Sequence, residues 1–102
     1  PTMIMLKFSH TKKFTKRNSA KIPQKKAIIY KIKDPDGDNL YTGIAGRGRS
    51  QERLLEHKDV RKEKIPSGTK FQFAQVKTKD RAHQIEKLII KKEQPKFNKQ
   101  HK

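Results

Sequence analysis

The chain has 102 residues, room for one small domain rather than two, and with 30% of them hydrophobic its core must be compact. It has no cysteine, which excludes disulfides and thiolate metal sites, and no apolar run long enough to span a membrane. Its 27 lysines and arginines outnumber 10 acidic residues, and the net charge of +17 makes nucleic acid the expected partner.

An anionic membrane surface would also attract this charge, but it requires a basic amphipathic helix with bulky apolar residues opposite, and none is found. Met3 to Leu6 is apolar yet too short for a signal peptide, and no small-residue cleavage site follows. A cytoplasmic protein, nucleoid-associated if it is cellular, is therefore expected. The 36% charged content also admits partial disorder.

Residues 1–26 read as a basic arm with few apolar residues, for which irregular structure is expected. Its Lys12, Lys13, Lys16, Arg17, Lys25 and Lys26 are candidates for phosphate contact, which adds affinity without sequence preference. Phe8 and Phe14 either stack on bases or tie the arm to the domain. Tying is favoured, because stacking platforms usually sit on strands.

Ala27 to Lys33 reads as a strand, with Ile28, Tyr30 and Ile32 on one face and Ile29 on the other. Asp34-Pro35-Asp36-Gly37-Asp38 is a turn, and Tyr41 to Ile44 returns as the antiparallel partner. Alternating carboxylates in the turn mimic a calcium loop. The remaining ligands and the distal glutamate of an EF-hand are missing, so a plain turn is the better reading. The second strand breaks at Gly43, Gly46 and Gly48 into a loop that carries Arg47 and Arg49.

Ser50 is expected to cap a helix running to about Lys62, with Leu54, Leu55 and Val60 available to face the sheet. Arg53 and His57, four apart, share one face of it. Ile65 to Gly68 turns the chain into a third strand, Lys70 to Val76, where Phe71, Phe73 and Gln75 alternate with Gln72, Ala74 and Val76. Thr78 or Asp80 then caps a second helix to about Glu93, which Pro95 stops; Gln94, just before the proline, is biased to extended geometry. These elements predict an α/β chain of the α+β type: a basic arm over 1–26, then a small three-stranded antiparallel sheet flanked by helices over 27–102.

Glu86 sits at the edge of the second helix's apolar stripe, beside Ala82, Ile85, Leu88 and Ile89. A carboxylate there needs a cation partner, a proton or water. A salt bridge to a lysine or arginine is the simpler partner; a divalent metal is the other. His83, three residues earlier, has the helical spacing of a second ligand, but a lone surface histidine is far commoner.

The order of Tyr30 in Ile28-Ile29-Tyr30, Tyr41-Thr42-Gly43, Arg53 and His57 on one helix, Glu86-Lys87-Leu88-Ile89 on the next, and Pro95-Lys96-Phe97-Asn98 resembles the GIY-YIG nuclease family over about Ile22 to Gln100. The resemblance implies a metal-dependent endonuclease that hydrolyses DNA phosphodiester bonds. It implies Glu86 as the single protein ligand of Mg²⁺ or Mn²⁺, a hard cation that keeps waters and takes phosphate oxygens. It places Arg53 on the phosphate, where a planar guanidinium fork fits non-bridging oxygens. It gives His57 a proton-relay or water-binding role, and Tyr30 or Tyr41 the role of general base. A free tyrosine is ionised at only about one part in a thousand at pH 7, and a cationic site would lower its pKa. Asn98 is expected to hold the site's geometry.

Three positions depart from the family pattern. Ile28 and Thr42 replace Gly and Ile in the two name motifs, and Ile44 follows the glycine where many relatives carry a polar residue such as Lys. Arg47 or Arg49 then either supplies the missing positive charge or grips the backbone. A homodimer is one expected route to double-strand cleavage, sequential nicking the other. Branched or otherwise structured DNA fits a domain with little machinery for reading bases. A non-catalytic basic nucleic-acid-binding protein, such as a degenerate nuclease or a ribosome-associated protein, is the competing class.

Overall fold

The structure is a computed structural model that describes residues 6–59 and 65–98. Its centre is strand β2 (Ala27–Lys33), whose first four residues are all buried, as a run of alanine, isoleucines and tyrosine covered on both faces must be. β3 (Asn39–Ala45) pairs with one side of β2, and β4 (Lys70–Val76) pairs with the other, both antiparallel. The Asp34 turn that joins β2 to β3 is closed by its own side chain, Asp34 Oδ1 accepting from the Asp36 and Asp38 amides at 3.0 and 2.9 Å.

The sheet has four strands rather than the three expected. A two-residue strand β1 (Lys12–Lys13) from the arm adds to β4, giving the order β1-β4-β2-β3. The rest of the described arm, residues 6–26, is irregular as expected except for one helical turn. Thr15 caps a single-turn helix α1 (Lys16–Ser19), its hydroxyl accepting from the Asn18 amide at 3.0 Å. Phe14 and Ile22 are buried in the main core with Ile28, Tyr30, Ile32, Leu54 and Phe71, and Phe8 packs against a second cluster. Both arm phenylalanines therefore tie the arm down. Sequence periodicity was silent on this because only isolated apolar residues carry the docking.

Helix α2 (Ser50–Asp59) covers the face of the sheet that holds Tyr30, with Leu54 fully buried and Leu55 half-buried. Val60 lies outside the described residues. Ser50 does not act as the cap. Its hydroxyl lies 3.1 Å from both the Pro23 carbonyl and Gln24 Oε1, and the Arg49 carbonyl accepts the first helical bond, from the Arg53 amide at 2.9 Å. The arm thus supplies the polar partners at the start of α2, with Gln51 Nε2 donating to the Ala20 and Ile22 carbonyls.

Helix α3 (Lys79–Glu93) packs Ala82, Ile85 and Ile89 with Ile29 and Val76 on the opposite face. Thr78 is its cap, as one of the two expected candidates, accepting from the Arg81 amide at 3.1 Å. At its other end Gln94 adopts the left-handed conformation (φ 49°, ψ 54°) rather than an extended one, because its amide closes the last turn onto the Ile90 carbonyl. No described helix is long and apolar enough to cross a membrane.

Candidate active site

Tyr30 of β2 stands directly opposite Gly43 of β3 in the ladder. Its phenol lies over that glycine: a Cβ at position 43 would sit 2.5 Å from Tyr30 Oη and 2.8 Å from the Tyr41 ring. The glycine of the Tyr-Thr-Gly motif is thus demanded by the close approach of the two tyrosines. Two turns into α2, His57 is buried with 1% exposure, and its Nε2 is hydrogen-bonded to Tyr30 Oη at 2.7 Å. Tyr41, half-buried, packs its ring on the same imidazole, with centroids 4.6 Å apart. Three elements therefore bring two phenols and an imidazole together.

The two tyrosines differ in surroundings. Tyr30 is wholly buried, and burial pushes its pKa well above the usual tyrosine value of 10.0; Tyr41 adds to this, and Arg53 opposes it without winning. For Tyr30, desolvation of the phenolate outweighs the one nearby guanidinium.

Arg53 lies one turn before His57 on α2. Its Nη1 donates to Glu56 Oε2 at 2.6 Å, and both side chains are about a third exposed (31% and 28%). Burial works against its charge, but the Glu56 hydrogen bond and the two tyrosines overcome this and hold the guanidinium firmly protonated. Glu86 of α3 is 4% exposed and close enough to Tyr30 to add to the upward push on its phenol. His83 Nδ1 stands 3.8 Å from Glu86 Oε1, too long for a hydrogen bond.

Asn98 is buried alongside the outer edge of β3. Its amide makes a pair of bonds to the Thr42 backbone, accepting from the amide at 2.8 Å and donating to the carbonyl at 2.9 Å. It imitates a neighbouring strand and fixes the peptide between Tyr41 and Gly43.

A cavity of about 360 Å³ opens beside this cluster. Ile44, Ala45 and Gly46 form one wall, Arg49, Arg53 and Glu56 the second, and Lys79 and His83 the third. Arg49 therefore lines the site. Arg47 is exposed on the neighbouring turn, where Gly48 takes φ +82°. Lys12 and Lys13 lie on β1, at the sheet edge farthest from β3, while Lys16, Arg17, Lys25 and Lys26 are exposed along α1 and the bend before β2. Glu56 and Lys79 were not singled out from the sequence. Glu56 has a readable signal in its i,i+3 spacing from Arg53; Lys79 has none, being one lysine among many.

Among the described residues no group of three or more His, Asp or Glu is placed to hold a metal ion. A centre resting on one carboxylate, with water and substrate oxygens completing the shell, is what the donor set permits, and nearly buried Glu86 fits it.

Residues 26–100 match the family model of the GIY-YIG catalytic domain. No curated protein matches the sequence. Among solved structures, the GIY-YIG N-terminal endonuclease domain of UvrC from Thermotoga maritima, a point mutant bound to its catalytic divalent cation, aligns with a TM-score of 0.68. The alignment covers 83% of this chain and 96% of that one at 22% identity, a likeness of fold. With the family model spanning most of the chain, and the two tyrosines of its name motifs meeting across Gly43, the protein belongs to the GIY-YIG nuclease family.

Proposed function

We propose that the chain is a divalent-metal-dependent endonuclease that hydrolyses DNA phosphodiester bonds. The observation that carries this reading is the meeting of Tyr30, Tyr41 and His57 from three elements, one helical turn from Arg53 and beside a cavity rich in cations. Tyr41 is assigned as the general base. It is the more exposed tyrosine, whereas Tyr30 keeps its proton and serves to position His57. Arg53 favours the phenolate of Tyr41 electrostatically.

In the reaction Tyr41 takes one proton from water, and the resulting hydroxide forms a bond to phosphorus as the bond to the leaving oxygen breaks in line. The leaving oxygen is protonated by solvent. Arg53 donates to the non-bridging oxygens, where charge accumulates in the transition state. When bound, a Mg²⁺ or Mn²⁺ ion supplies Lewis-acid polarisation of the phosphate and stabilises the leaving oxygen. Glu86 would hold it, with water and substrate oxygens completing the shell. The exposed basic residues of α1 and the loop at Arg47 grip the backbone of the DNA.

The test is cleavage of supercoiled plasmid at low salt with Mg²⁺, Mn²⁺ or EDTA, with wild type beside Glu86→Ala. Metal-dependent nicking or linearisation is expected, lost in Glu86→Ala while gel-shift binding persists; the product form tells one cut from two. Binding without cleavage on plasmid, branched, single-stranded and mismatched DNA would instead establish a non-catalytic nucleic-acid-binding protein.

A further inference from the structure

Three cations line the cavity beside the tyrosine–histidine cluster, and they are not equivalent. Arg53 is held by Glu56 at 2.6 Å, and Arg49 Nη2 lies 3.2 Å from Glu52 Oε1. Lys79 makes no ion pair among the described residues. Glu56 also lines the cavity, so an incoming phosphate meets a carboxylate there as well as the arginines. Lys79 is the cation whose charge is not already answered by a neighbouring acid.

Nothing in the helix explains a lysine at this position. Lys79 is the first residue of α3, where a positive side chain opposes the helix dipole. The cap is complete without it, through Thr78, and Asp80 already supplies the favourable charge in the first turn. Its side chain instead extends toward the loop at Gly46, with Cδ 3.9 Å from where a Cβ at position 46 would stand. Lys79, His83 and Glu86 follow one another at i, i+4 and i+7, so they share one stripe of α3. Lys79 and Glu86 are about 10 Å apart along the axis, so a phosphate reached by the long lysine chain would lie toward a cation that Glu86 would hold.

We infer that Lys79 is a catalytic residue that donates to a non-bridging oxygen of the scissile phosphate, acting opposite Arg53. The inference rests on the nuclease reading above and adds to it a group that binds the reacting phosphate. An exposed lysine that merely adds to the positive field would strengthen DNA binding without altering turnover. A lysine on the scissile phosphate acts on turnover.

The experiment compares wild type, Lys79→Gln, Lys79→Arg and Lys77→Gln, the last an exposed lysine two residues away that does not line the cavity. Plasmid nicking in Mn²⁺ gives kcat and KM, and a fluorescein-labelled duplex in EDTA gives Kd. Lys79→Gln is expected to lower kcat about tenfold or more, the scale of losing one charged donor to a transition-state oxygen, with Kd moving no more than in Lys77→Gln. Lys79→Arg restores much of the rate, and the Tm of Lys79→Gln is unchanged or raised. Equal kcat in Lys79→Gln and Lys77→Gln, or a change confined to KM, would overturn the assignment and leave the nuclease reading standing. A wild-type protein that cuts no substrate overturns both.

Discussion

Tyr30 and Tyr41 share a side chain but not a dielectric, and the separation of roles proposed for them follows from that. Tyr30→Phe leaves His57 Nε2 buried without its 2.7 Å partner, so it is expected to cost about 1–3 kcal/mol of stability. Tyr41→Phe should leave stability nearly intact and lower kcat by about 10²–10⁴-fold, the usual contribution of a general base. Urea unfolding and nicking rates, measured on both variants, separate the two effects. The buried phenol also sets a pH dependence. Its pKa is raised in the folded state, so its contribution is fully present below the unfolded value near 10 and is lost as pH rises toward the folded one. The alkaline fall in stability should therefore be shallower in Tyr30→Phe. Much of this site was legible from residue order, since tyrosines, a glycine, an Arg/His pair, a helical glutamate and an asparagine recur in one sequence. Lys79 was not legible, because its meaning lies in which cavity it lines and which acids its neighbours face.

At the scale of elements, alternation in β2, β3 and β4 and the apolar stripe of α3 placed those elements within a residue or two of where they lie. The misreadings have tertiary causes. Ser50 looks like a cap until Pro23 and Gln24 arrive from the arm to occupy its hydroxyl. Gln94 precedes a proline, yet closure of α3 outweighs the local steric bias toward extended backbone. Asn98 illustrates how far a side chain can act as secondary structure. Removing it in Asn98→Ala leaves a buried amide and a buried carbonyl of Thr42 unmatched, with an expected loss of about 2–4 kcal/mol. Because Thr42 lies between Tyr41 and Gly43, the variant should also lose activity at temperatures where it is still folded. Thermal unfolding paired with nicking assays below the transition checks both.

For the whole molecule, the described part of the arm, residues 6–26, belongs to the folded body. Sequence composition alone could not say so, since lysine-rich residues 1–26 carry no periodicity and their docking depends on Phe14, Ile22 and a few backbone bonds. Phe14 packs on Phe71 with ring centroids 5.8 Å apart. Phe14→Ala should therefore cost about 3–5 kcal/mol in urea denaturation, the scale of a core aromatic, where Lys12→Ala costs almost nothing. A small domain has only about 5–15 kcal/mol in hand, so the arm decides whether the rest stays folded.

The two ends of the sheet are closed in different ways. At one, β1 contributes two lysine residues only. At the other, the Phe97 amide bonds the Leu40 carbonyl at 2.9 Å and Asn98 takes both backbone groups of Thr42. A protein this basic, if concentrated side by side on the polyanion proposed as its substrate, would otherwise offer its neighbours a strand to extend. With β3 already occupied by the Phe97–Asn98 segment and β1 guarded by repelling charge, crowding on the proposed DNA substrate is expected not to turn into sheet growth from copy to copy.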